Sequence, residues 1–419
     1  QGAVPPVKVR ANNYVGKSNW SADGYMDGAI DDLAIFNEAL DASQVSELYQ
    51  ANQLSDYIEP SDAGTASTTE EIVNTSTSSD QHQSAIATTA DGDAMSVWLS
   101  ESGGTYAIMG RQYPGGAEFK INTYNPTGSD SLSSPDIVVL ENGYYAVTWD
   151  YKDASNNTPK IKIYDASGTV ITNEFTAGSD EYLSSLTALS GNRFALLNID
   201  PQDGHTVKVN IFDDSGNSIT TFDAGTSNTW DFPRPAMTEL DNGNYAIVWR
   251  KSTSGNNSAR IRFFDSNGNP LVNELSFAGD AASTNHGLTV EALGNGQVVT
   301  VFQSGSDVYF QRWSDDGSTL GGAVRVHSTT GGTQHEQDIV LLADGSFFIT
   351  WAGGAGQDAQ GSGVYGRHFS ADGVALSEEI LINETTVGHQ WDPQVVQLAD
   401  GTLQVSWTSE QNGDKDIFT

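Results

Sequence analysis

The sequence predicts an all-β protein: a seven-bladed β-propeller with an N-terminal strand closing the last blade, preceded by a partial jelly-roll segment. Three observations carry this expectation. A unit recurs seven times, with turn glycines (or Asn192) at 92, 143, 192, 243, 296, 345 and 401, about 51 residues apart. Each turn is followed six positions later by a large residue, usually Trp. The repeat region opens on one strand and closes on three, which together make one blade.

Each unit reads as four short strands. Leu140-Glu141-Asn142-Gly143 leads to Trp149, Leu240-Asp241-Asn242-Gly243 to Trp249, and Leu398-Ala399-Asp400-Gly401 to Trp407. Gly92 and Gly345 lead likewise to Trp98 and Trp351. Asn-Gly and Asp-Gly between apolar runs signal hairpins, because type I′ turns need positive φ at both central residues. Phe347-Phe348-Ile349-Thr350-Trp351 has the aromatic and β-branched character of a buried second strand. A third strand ends in an aromatic before a polar turn, as at Phe264-Asp265-Ser266-Asn267-Gly268, and a weaker fourth follows. Two units are degenerate: Gly296 leads to Phe302, and Ser190-Gly191-Asn192 leads to Asn198. The Trp set and Phe302 are expected between blades.

Closure follows from the ends. Glu70-Glu71-Ile72-Val73-Asn74-Thr75 matches Glu378-Glu379-Ile380-Leu381-Ile382-Asn383, a fourth strand. Paired with residues 416–419 it would remove a free sheet edge. Upstream, residues 1–52 read differently: strand-like runs around Trp20 and Ile30-Asp31-Asp32-Leu33-Ala34-Ile35-Phe36, then a capping box at Asp41-Ala42-Ser43-Gln44 opening a short helix. Residues 53–69 read as a linker, and 70–419 as the propeller.

Charge and composition exclude several functions. With 54 Asp and Glu against 19 Lys and Arg, the net charge of −35 repels phosphate backbones and anionic lipid, which argues against nucleic acid or membrane-surface partners. No apolar run approaches the ~18 residues of a membrane span, so membrane insertion is not expected. The absence of Cys removes disulfides, thiolate metal sites and thiol nucleophiles. The chain begins at Gln1-Gly2-Ala3 and ends mid-strand at Ile417-Phe418-Thr419, and is read as a monomeric module of a longer protein.

One position stands out. Seven residues before the leucine site of each unit lie His82, Ser133, Tyr182, Pro233, His286, His335 and Trp391, with Trp230 and Asp231 in the longer loop of unit four. Repeat symmetry places these loops on one face, around the axis. Flat aromatics and imidazoles there suit sugar stacking, with Gln83, Asp231, Glu336 and Asp392 as hydrogen-bonding neighbours. The competing reading is that these side chains only plug the channel mouth. Acidic, glycine-rich hairpin loops contribute Asp358, Asp414 and Asp416 as candidate oxygen ligands for Ca²⁺, although no stretch matches a full EF-hand loop and solvated hairpin tips account for the same composition. No G-x-S-x-G, H-E-x-x-H or P-loop is present, so no catalytic residue is assigned.

Two resemblances add to this. Gly24-Tyr25-Met26-Asp27-Gly28-Ala29-Ile30-Asp31-Asp32, followed by Ala39-Leu40-Asp41-Ala42-Ser43-Gln44-Val45, resembles the C-terminal end of a laminin-G-like (concanavalin A-like) jelly roll. Gln390-Trp391-Asp392-Pro393-Gln394-Val395-Val396-Gln397-Leu398-Ala399-Asp400-Gly401 resembles repeats of very large bacterial surface and RTX-type adhesins. The resemblance implies an extracellular, cell-surface module for cell adhesion or biofilm attachment. Its partner would be a glycan or peptide on host, algal or bacterial cells. The alternatives are a polysaccharide-active enzyme with a propeller core and a rigid spacer.

Overall fold

The computed structural model describes residues 70–419 except 90, 114, 229–233, 254–255, 280–286, 295, 330 and 355–360. Residues 1–52, read from the sequence as the end of a jelly roll, and 53–69, read as a linker, therefore lie outside the described residues.

Seven antiparallel sheets follow one another along the chain, each built in sequence order from its first strand outward. The first strands are Gln81–Thr88, Ser131–Val139, Tyr182–Leu189, Ala236–Glu239, Thr289–Ala292, Gln334–Leu341 and Gln390–Gln397, and they define blades 1 to 7. Hairpins form where expected: Gly143, Gly243, Gly345 and Gly401 have positive φ, and their amides close turns on Leu140, Leu240, Leu342 and Leu398.

The core is a ring of seams rather than one centre. Seven buried apolar clusters each join two adjacent blades, from blades 1–2 round to 7–1. Trp98, Trp149, Trp249, Trp351 and Trp407 lie in these seams, all at most 2% exposed, with Phe302 at 4%. Two indoles are oriented by a glutamine at the start of the first strand. Trp98 Nε1 donates to Gln81 Oε1 at 3.0 Å, and Trp351 Nε1 to Gln334 Oε1 at 3.1 Å. Blade 3 changes both partners at once: buried Asn198 stands at the Trp position and donates to Glu181, at the Gln position, at 2.6 Å. The degenerate unit is a substituted pair, not a vacancy.

The ring closes as the sequence predicts, with a correction of one residue. Three strands of blade 7 come from the C-terminal end (Gln390–Gln397, Leu403–Ser409, Asp416–Phe418). The fourth position is taken by residues 71–73: Ile72 bridges Phe418, and Val73 N donates to Ile417 O at 2.8 Å. In blade 6 Leu381 pairs with Tyr365, which itself faces Trp351, just as Phe418 faces Trp407. Ile72 is thus the counterpart of Leu381, and Asn74 that of Asn383, one place from the alignment of Glu70 on Glu378. Side-chain hydrogen bonds fix the register where apolar pattern alone leaves Ile-Val against Ile-Leu-Ile ambiguous.

Candidate functional site

The first strands begin at one end of the propeller, and their register sets the rim. In five blades the rim residue pairs with the residue just after the Trp position: His82 with Leu99, Ser133 with Asp150, Tyr182 with Ile199, His335 with Ala352, and Trp391 with Thr408. Equal offsets in sequence therefore give equal heights along the strand.

Immediately after each of these rim residues the chain enters the left-handed region, at Gln83 (φ 55), Ser134 (φ 57), Leu183 (φ 60), Glu336 (φ 53) and Asp392 (φ 57). A non-glycine residue there costs about 1–2 kcal/mol, and the strand bulges at this point in each case. The preceding blade offsets the cost. Ser134 N donates to Gln83 Oε1 at 3.0 Å, Leu183 N to Asp150 Oδ2 at 2.9 Å, and Asp392 N to Glu336 Oε2 at 2.8 Å. Sequence reasoning misses this bulge because neither Gly nor Asn marks it; a neighbouring blade's acceptor holds it instead.

The bulges aim rim side chains into a cleft between blades 6 and 7. Its volume is ≈ 520 Å³. His335, Glu336 and Trp391 line it, together with His389 and Glu410. Gly354, Gly361 and Ser362 of the blade 6 hairpin form another part of the wall. His335 Nδ1 lies 3.4 Å from Glu336 Oε2, and Ser362 N donates to His389 Nδ1 at 3.3 Å. Gly354 faces open space: a Cβ there would meet nothing within 4 Å, so its missing side chain leaves room for a ligand, whereas at Gly361 a Cβ would run into the Gly388 carbonyl.

The structure brings together His335, Glu336 and Trp391 from the predicted set, with Asp392 directly behind through its amide. His82 is not part of the lining; it feels the charge of Lys415, whose Nζ lies 5.8 Å from the Trp391 ring centre. Burial, then the Lys415 charge, hold the His82 pKa below the usual imidazole range. Tyr182 is half-buried and packs on the blade 3–4 seam. Trp230, Asp231, His286 and Asp358 lie outside the described residues. His389 stands next to the rim positions in the sequence, two residues before Trp391; Glu410 is an addition that the sequence shows as an ordinary loop residue.

Of the calcium candidates, Asp414 is exposed at a hairpin tip, whereas Asp416 is fully buried. Asp416 accepts from Asn74 Nδ2 at 2.8 Å through Oδ1 and from Asn412 Nδ2 at 3.2 Å through Oδ2. Among the described residues no group of three or more His, Asp or Glu side chains is arranged to hold a metal ion. No helix among them is long and apolar enough to cross a membrane.

Deeper along the axis the first strands carry Asp136, Glu291 and Asp338. Arg234 of blade 4 reaches across to blade 2, where Nη1 donates to Pro135 O at 3.4 Å. Asp136 Oδ2 accepts from Leu186 N at 2.7 Å and Asp338 Oδ2 from Val395 N at 2.9 Å, so two of these acids also stitch blade to blade.

These features define a seven-bladed β-propeller with a rim cleft between blades 6 and 7. No protein-family model matches the chain, and no curated protein matches it. Solved structures do. A protein of unknown function from Dyadobacter fermentans DSM 18053 superposes with a TM-score of 0.50 at 14% identity, over 84% of this chain and 96% of its own. The β-propeller domain of the Trilobed protease from Pyrococcus furiosus gives 0.45 at 10% identity, over 81% and 97%. The α-L-arabinanase of Penicillium chrysogenum, solved with arabinobiose, gives 0.41 at 14% identity, over 81% and 92%. The first likeness defines the fold alone, and the two weaker ones carry no argument.

Proposed function

We propose that this propeller is a non-enzymatic carbohydrate-binding module of a bacterial cell-surface adhesin, and that the cleft between blades 6 and 7 holds the sugar. One observation carries the reading: the cleft places the Trp391 indole beside His335, Glu336 and His389. That is an aromatic platform edged by hydrogen-bonding groups, the composition expected of a saccharide site. The adhesin part rests on the repeat's resemblance to surface-protein units. A glycan array read with wild type, Trp391→Ala and Gly354→Leu tests it. Wild type should bind a defined sugar class, Trp391→Ala should bind it several-fold more weakly, and Gly354→Leu should lose it. Equal binding by all three would reject the cleft.

A second reading has its own observation. Glu336 and Glu410 line the same cleft, and glycoside hydrolysis uses two carboxylates about 5–10 Å apart. Release of reducing ends from a bound polysaccharide, abolished by Glu410→Gln, would make the protein an enzyme.

A further inference from the structure

Resting on the carbohydrate reading, we propose that the cleft selects saccharides by charge: it takes neutral and, preferentially, amino sugars, and rejects uronic and sulfated ones. The lining explains why. Among the described residues its lining carries two carboxyl side chains, Glu336 and Glu410, and two imidazoles, His335 and His389, but neither Lys nor Arg. Lys415 is not part of the lining; its Nζ lies over the Trp391 ring and 3.8 Å from Asp80, whose carboxylate pairs with it. Glu336 already gives Oε2 to the Asp392 amide, which fixes the carboxylate at the edge of the cleft. Glu410 is held through its backbone: its N donates to His389 O at 3.0 Å, and its carbonyl accepts from Gly413 N at 2.9 Å. Its carboxylate enters no hydrogen bond or ion pair among the described residues. A sugar ammonium can therefore find a carboxylate acceptor in the cleft. A uronate would bring a further carboxylate beside the two of the lining, on a chain of net charge −35. Like charges set together reject a ligand more sharply than added contacts recruit one.

The test is calorimetric titration at about 0.15 M salt, where long-range attraction to the acidic surface is screened. Three hexasaccharides serve as probes: glucosamine hexamer, N-acetylglucosamine hexamer and hexaguluronate. We expect the glucosamine hexamer to bind about tenfold tighter than its acetylated form, a difference of about 1.4 kcal/mol, and hexaguluronate not to bind. Glu410→Gln, and the double variant with Glu336→Gln, should bring the first two to equal affinity. The side-chain carbonyl that Glu336→Gln leaves in place can still accept from the Asp392 amide, so the bulge survives. Gly354→Leu alters no charge and should abolish binding of both. Hexaguluronate binding as tightly as the acetylated hexamer overturns the proposal, as does an amino-sugar preference that persists in the double variant or in Gly354→Leu. If none of the three binds while an array also reads blank, the carbohydrate reading itself fails.

Discussion

Asn74 and Asp416, 342 positions apart in sequence, close the propeller by a paired hydrogen bond. Asn74 Nδ2 donates to Asp416 Oδ1 at 2.8 Å, and Asn74 Oδ1 accepts from Ile417 N at 2.7 Å. Asn122 and Asn383 play the same part in blades 1 and 6, accepting from Ile108 N at 2.8 Å and Val364 N at 2.7 Å. The ring is thus sealed by the device that finishes ordinary blades, with its two halves drawn from opposite ends of the repeat region.

The closure gives a first prediction. Asn74→Ala leaves the Ile417 amide and the Asp416 carboxylate short of a partner inside a buried seam. Each such loss costs about 1–3 kcal/mol, so the midpoint in urea should drop with little change in slope. Removing residues 70–76 also strips Ile72 and Val73 and opens two sheet edges. That protein should aggregate or melt without cooperativity. An unchanged melt in the truncated form would show that the closure contributes nothing.

A second prediction separates seam from rim. Trp351 is fully buried and hydrogen-bonded to Gln334. Trp351→Ala should destabilise the fold by about 3–5 kcal/mol, the usual cost of a large-to-small core change. Trp391 is half-buried at the cleft, and Trp391→Ala should cost about 1 kcal/mol or less while weakening sugar binding several-fold. Equal melting losses in the two variants would make Trp391 a packing residue and favour the plug reading.

How much of this was legible in the sequence follows from what each feature depends on. Period, hairpin glycines and seam tryptophans are local or repeat properties, and they read directly. Closure was legible from Ile72-Val73-Asn74, but its register depended on Asn74 reaching Ile417. The left-handed positions after the rim are set by acceptors such as Glu336 and Asp150 on a preceding blade, which no local pattern announces. Tyr182 shares the rim register of Trp391, yet it turns onto the blade 3–4 seam. Gly354 opens onto the cleft of blades 6 and 7, a distinction visible only once the blades are packed.

Two glycines make a third prediction by contrast. At Gly225 an added Cβ would run into the Trp249 indole across the blade 3–4 seam. Gly225→Ala should therefore cost about 1–3 kcal/mol, the range for overpacking a core. At Gly354 the same atom meets open space. Gly354→Leu should leave the melting temperature nearly unchanged and block the cleft. Thermal melts of both variants decide it; a Gly354→Leu protein that melts as early as Gly225→Ala would mean the cleft is packed, not open.

The axial acids give a fourth prediction, in the pH dependence of stability. Burial raises Glu291 to about 8, with the Asp338 charge adding to it. Burial also raises Asp338 to about 7, against the Val395 and Ile339 amides and with the help of Asp136. Asp136 is likewise raised by burial, partly countered by Arg234. Unfolded, these groups titrate near 4. Between about pH 4 and 8 the folded chain then holds more protons than the unfolded one, so stability falls as pH rises. The favourable contribution is complete below the unfolded values and gone above the folded ones. Turn aspartates act the other way at the acid end: hydrogen bonds from Ser167 and Thr169 lower Asp165, so its stabilisation is lost only as pH falls through that depressed value. The melting temperature should peak near pH 5 and decline toward pH 9. Glu291→Gln should match wild type at pH 5 and exceed it by about 2 °C or more at pH 8.5. If wild type and Glu291→Gln keep parallel profiles from pH 5 to 9, Glu291 does not carry a raised pKa in the folded channel.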